Sequence, residues 1–217
     1  MRIRQDLIAG FFGLLVISVG TPLVAQTVSE EPVLSILVYN YSAATPTFLG
    51  QAEKETQRIF SRVGVSISWT DCPIQQVLLE KSDCYEEPAP GQIRLRILKQ
   101  PLNDYFQDSI FGFAVAPVFA SVYYGSALRL AVLDKDEYAL SAIMGCLMAH
   151  EVGHLLLGEN RHSASGIMKA QWDLKQVQLA MRGSLGFLPE EKKLLYANAI
   201  AGRRKAEPAL CARGTRE

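Results

Sequence analysis

Histidine, cysteine and net charge are scarce in this chain of 217 residues: three His, four Cys, and Lys+Arg matched by Asp+Glu at 22 each. The zero charge balance argues against nucleic acid as a partner, because neutralising phosphates needs a surplus of Lys and Arg gathered on one surface. Four cysteines are too few for a disulfide-framework mini-protein and too scattered for a zinc ribbon. No internal repeat or low-complexity tract is present, which excludes solenoid and linker architectures. Hydrophobic residues make up 49% and charged residues 20%, so the chain can bury a core and wholesale disorder is excluded. At this length one domain is the natural expectation.

The N-terminus reads as an address. Residues 1–25, MRIRQDLIAGFFGLLVISVGTPLVA, place Arg2 and Arg4 before an apolar run from Leu7 to Val19, then a Pro-containing exit and Ala25. That is the layout of a secretory signal peptide, with cleavage expected after Ala25 and residues 26–217 left as the mature domain. Pro22 makes continuation into a membrane anchor costly, so no stable membrane association is expected after cleavage. A secreted or periplasmic location changes how the cysteines read. Cys72, Cys84, Cys146 and Cys211 form an even set for an oxidising compartment. Cys72 and Cys84 bracket a short segment and are the expected pair, a closure worth roughly 3 kcal/mol. Cys146 with Cys211 is the second candidate pair, although Cys146 lies in an apolar run that also suits a buried thiol.

Along the mature chain, Pro32–Tyr41 has the apolar density of a covered strand. Phe48–Val63 has helical spacing, ended by Gly64. Val65–Thr70 alternates as a strand with one wet face, and Ile93–Leu98 alternates after a Pro/Gly-rich loop at Glu86–Gly91. Phe111–Tyr124 is expected to add one strand, with Pro117 confining part of it to an edge. Asp136–Leu157 is apolar nearly all round, the mark of a helix buried in the middle of a fold, and Gly158 ends it. Trp172–Met181 and Pro189–Ala201 read as two further helices, with the basic cluster Arg203, Arg204 and Lys205 at the end of the last. Strands and helices in this order indicate an α+β or α/β fold.

The buried helix carries HEVGH. His150 and His154, four residues apart, project from one helix face about one turn from each other, where two imidazoles reach a single Zn²⁺. Glu151 projects at an angle to that pair, where a carboxylate can hold a reacting water without ligating the metal. Two His and a Glu are expensive to bury in an apolar helix unless something satisfies them. His162 follows Gly158 by four residues, close enough for a turn to return it as third ligand; Glu159 or a Glu of the last helix such as Glu190 are the alternatives.

The run HEVGHLLLGENRHSASGIM resembles the zinc-binding consensus of the metzincin branch of zinc metallopeptidases, HExxHxxGxxH followed by a turn bearing a Met under the metal. His150, Glu151 and His154 match the first part, and Met168 stands at the Met-turn position. Gly158 comes four residues after His154 where the consensus has three, and His162 eight after where it has six. The segment is also similar to secreted bacterial proteins carrying HExxHLLLG and a following HSxxGIM.

The resemblance implies an α+β zincin-like domain. A mixed sheet with helices over a cleft and the active-site helix would lie within about 26–158, and a smaller helical C-terminal part within 159–217. It implies a zinc metalloendopeptidase with one Zn²⁺ ion, Glu151 as general base and a protein or peptide as substrate. An extended substrate would pair with a sheet edge, for which Phe111–Tyr124 is the candidate. Tyr123 and Tyr124 fit either the cleft wall or the core. Two other functions stand beside this one: a non-catalytic binding module that zinc only staples, and a metal-dependent hydrolase of a non-peptide amide.

Overall fold

Five strands form one mixed sheet in the order β2-β1-β3-β5-β4. The computed structural model describes residues 31–74, 84–89, 91–100, 111–131, 137–158 and 161–213, with backbone alone at 137, 138 and 203–213. The expected signal segment 1–25 therefore lies outside the described residues, as does Glu159. Glu31–Glu217 forms one compact unit.

Strand β1 (Val33–Asn40) lies between two parallel neighbours, β2 (Ser66–Cys72) and β3 (Gln92–Leu98). Its alternate residues Leu34, Ile36 and Val38 join the main core, while Leu37 and Tyr39 join a small cluster with Cys72 and Cys84 on the other face. Helix α1 (Pro46–Ser61) crosses over between β1 and β2. It begins where Thr45 accepts the Phe48 N–H at 3.2 Å and Pro46 supplies a helix-ready φ.

Phe111–Tyr124 was expected to give one strand, and it gives two. β4 (Gly112–Val115) turns back through Ala116–Pro117, a cis peptide, into β5 (Phe119–Tyr123). The two pair antiparallel, β5 runs parallel to β3, and β4 is the sheet's edge. Pro117 sits in the turn and not in a strand, because a ring without an N–H breaks a ladder but suits a reversal. Helix α2 (Tyr124–Leu130) follows β5 directly and was not anticipated.

Helix α3 (Glu137–Leu157) is the axis of the domain, packing against α1, α2, β4, β5 and the two later helices. It is long and apolar enough to cross a membrane, but 89% of that stretch is buried inside the protein. Gly64 and Gly158 lie just beyond α1 and α3 with φ of +81° and +105°, values that side chains with a Cβ rarely adopt. Helix α4 (Leu174–Met181) opens on a capping box between Asp173 and Gln176. Helix α5 (Pro189–Arg213) runs past Ala201, where the core pattern fades, so Arg203, Arg204 and Lys205 lie within the helix and not at its end. Arg203–Glu207 reads RRKAE, all good helix formers, which suits continuation of the helix.

Cys72 and Cys84 are bonded, as expected. Cys146 is a buried free thiol, so the Cys146–Cys211 pair is not formed. Its position on the inward side of α3, beside Glu55 of α1, explains why.

Candidate metal centre

His150, Glu151 and His154 are all buried, and they sit together because α3 presents one turn of its length to the edge of the sheet. The His150 Nδ1 atom lies 2.7 Å from the Ile167 carbonyl, and a carbonyl only accepts, so Nδ1 carries the proton and Nε2 keeps its lone pair. Ile167 also accepts from Trp172 Nε1–H at 3.3 Å. The Phe111 ring stands edge-on to His150 at 5.2 Å and packs against Trp172 at 5.0 Å. The His150 ring is thus fixed in both orientation and tautomer.

His154 Nε2 lies 3.1 Å from His150 Nε2. His162, exposed on the segment after α3, brings its ring to 5.5 Å from His150 and 4.9 Å from His154. Among the described residues these three form the one group whose ligand atoms could hold a metal, all within 4.8 Å of one another. A tetrahedral metal with imidazole bonds of about 2.0–2.1 Å sets its nitrogens about 3.3 Å apart, close to the 3.1 Å between His150 and His154.

The charge state of the site fits the same group. Burial, with weaker contributions from the neighbouring imidazoles, lowers His150 to about 3 and His154 to about 4, so both are neutral and able to ligate at pH 7. Burial also raises Glu151 to about 8, and no cation is among the causes. Neutral imidazoles whose ring nitrogens converge on one point are a donor set open to a metal cation. The cluster suits one zinc ion.

Glu151 is not among the converging ligands; it lies against β4. A Cβ built on Gly112 would come 3.0 Å from Glu151 Cδ and 1.9 Å from the Ser121 carbonyl oxygen, so only glycine lets the edge strand approach the carboxylate this closely. Met168 is fully buried, and its Sδ would be 2.8 Å from a Cβ at Gly153, which puts the thioether directly under the ligand turn of α3. Glu190 is exposed in the first turn of α5, outside the cluster. Tyr124 packs its ring on Phe48 at 5.3 Å as a core residue. Tyr123 is buried near enough to Glu151 for that carboxylate, after burial, to raise its phenol.

Sequence reasoning missed four residues that hold the site: Phe111, Gly112, Ser163 and Glu191. Glu191 did leave a signal. It stands three residues into a helix opened by Pro189, the position from which a Glu reaches back to cap the helix start.

No protein-family profile matches the chain, and no curated protein matches it. Solved structures share its fold. A zinc-dependent peptidase from Methanocorpusculum labreanum (strain Z) superposes with a TM-score of 0.53 at 16% identity, covering 74% of this chain and 99% of that one. Archaemetzincin from Methanopyrus kandleri superposes with a TM-score of 0.51 at 17% identity, covering 79% of this chain and 98% of that one. The fold is α+β and zincin-like, as expected from the HEVGH segment.

Proposed function

We propose that the chain is an exported zinc metalloendopeptidase. The observation that carries this reading is the convergence of His150, His154 and His162 on one point, with Glu151 buried beside them but outside the ligand set. Zn²⁺ held there would supply a Lewis acid for a scissile carbonyl and leave a fourth coordination position open.

The chain's own residues do the rest. The Glu151 carboxylate takes a proton from the attacking water and returns it to the leaving amine. Among the described residues β4 is the outer strand of the sheet, and its edge offers backbone hydrogen bonds to an extended peptide, a mode that grips internal segments and so favours endopeptidase action. Gly112 brings that edge to Glu151, so the pairing strand and the base meet at one place. The short charged and apolar N-terminal segment and the Cys72–Cys84 disulfide support export into an oxidising compartment.

Glu151→Gln is the decisive variant. It should retain zinc and melt within about 2 °C of wild type, while cleavage of a broad peptide library falls about 10²- to 10⁴-fold. Equal cleavage by both proteins would refute Glu151 as base. Zinc binding by both, with no cleavage of any peptide or amide by either, would favour a zinc-stapled binding module.

A further inference from the structure

The third ligand is held differently from the first two. His150 and His154 stand on a rigid buried helix, and His150 is fixed by the Ile167 carbonyl. His162 is exposed on the segment beyond the helix, and among the described residues its ring makes no hydrogen bond. An exposed imidazole on a connecting segment loses conformational freedom when it ligates, so something next to it has to limit that freedom beforehand.

Ser163, the next residue, is tied on both sides. Its backbone N–H donates to the Met168 carbonyl at 2.8 Å, and Ser163 and Lys169 form an isolated bridge. Its hydroxyl donates to Glu191 Oε1. The other oxygen of that carboxylate, Oε2, accepts the Leu188 N–H at 2.7 Å, just ahead of Pro189. Glu191 is only 6% exposed, in the first turn of α5, where a carboxylate is favoured by the helix dipole. One buried carboxylate therefore fastens the start of α5 to the residue beside His162, and both bonds are of the stronger, charge-assisted kind.

We propose that Glu191, acting through Ser163, is a positioning residue that preorganises His162 and so sets the affinity of the metal site. The inference rests on the zinc reading above and adds that metal affinity depends on the first turn of α5, whose residues are not among the ligands.

The test is Zn²⁺ affinity of the full chain by chelator competition, alongside thermal melts of the metal-free protein and the visible absorption of the Co²⁺ form. Ser163→Ala removes the link and leaves the Leu188 cap on Glu191 intact. It should weaken Zn²⁺ binding about 10- to 100-fold and alter the Co²⁺ spectrum, while the metal-free melt falls only by what one unpaired carboxylate oxygen costs. Ser163→Thr, which keeps the hydroxyl, should restore affinity. Glu191→Gln combined with Ser163→Ala should bind no more weakly than Ser163→Ala alone, since both act through one contact.

Zinc affinity of Ser163→Ala within twofold of wild type would overturn the proposal while leaving the metal reading intact. So would a double variant that binds Zn²⁺ more weakly than Ser163→Ala alone, or an unaltered Co²⁺ spectrum in Ser163→Ala. A wild-type chain that binds no Zn²⁺ would overturn the metal reading and this inference together.

Discussion

Glu53 in α1 faces Asp71 in β2, and burial, with the Asp71 charge adding to it, raises its carboxyl from 4.5 to about 7. One of its oxygens is buried without a hydrogen-bond partner. A folded-state value above the unfolded one means that the fold favours the protonated form, so this contribution is full below about pH 4.5 and is lost as pH rises through about 7. Glu53→Gln should therefore match wild type at pH 5 and melt several degrees higher at pH 8. That corresponds to about 1 kcal/mol once solvent screening of a partly exposed carboxylate is allowed for; identical melts at both pH values would contradict the assignment. At the metal site, His162→Ala should lose zinc on dialysis as fully as His150→Ala, because three protein ligands are what such an ion needs. Stoichiometric zinc in dialysed His162→Ala would move the third ligand elsewhere. His150, Glu151 and His154 were legible because their spacing is a property of any helix. His162 was harder, since its place depends on a turn whose geometry is set by Met168 and by Glu191, the latter distant in sequence.

Elements were legible in proportion to how much of their stability is local. Helix α3 announced itself by an unbroken apolar run ended by Gly158, and α1 by its periodicity between Thr45 and Gly64. Helix α2 did not, because Tyr123 at its N-cap makes no side-chain capping bond and nothing in Tyr-Gly-Ser marks a helix start. The β4–β5 hairpin was hidden for a related reason: its aromatic and small residues read as one strand until Pro117 is placed in a turn. That hairpin carries its own prediction. Gly112→Ala forces a Cβ to within 1.9 Å of the Ser121 carbonyl and 3.0 Å of Glu151. The strand must shift, at a cost of roughly 1–3 kcal/mol for overpacking. Zinc should stay bound while peptide cleavage falls at least tenfold, because the edge and the base separate. Unchanged kcat/KM for Gly112→Ala would show that β4 does not set the Glu151 geometry.

On the scale of the whole molecule the sheet has two unequal faces. The main core on the helix side unites Leu34, Ile36 and Val38 of β1 with the α3 residues around the metal site. Among the described residues, the other face holds Leu37, Tyr39, Cys72 and Cys84, with Tyr85 packed against them. Element order left α+β and α/β both open and the resemblance of the HEVGH segment pointed to α+β, but neither gave the strand order β2-β1-β3-β5-β4, because parallel neighbours are chosen by tertiary packing and not by the turns between them. The smaller cluster is too slight to hold that face by burial alone, and there the disulfide takes over. The Tyr39 hydroxyl donates to the Cys84 carbonyl, so the bridge also anchors β1, an interior strand of the sheet. Cys72→Ser combined with Cys84→Ser should cost roughly 3 kcal/mol for a closed loop of this length, seen as a lower midpoint in denaturant. Zinc affinity of the folded double variant should equal that of wild type, because among the described residues His150, His154 and His162 cluster on the α3 side of the sheet and the bridge packs on the other. A double variant that folds normally but loses zinc would mean that the two faces are coupled through β1, contrary to the division of the core described here.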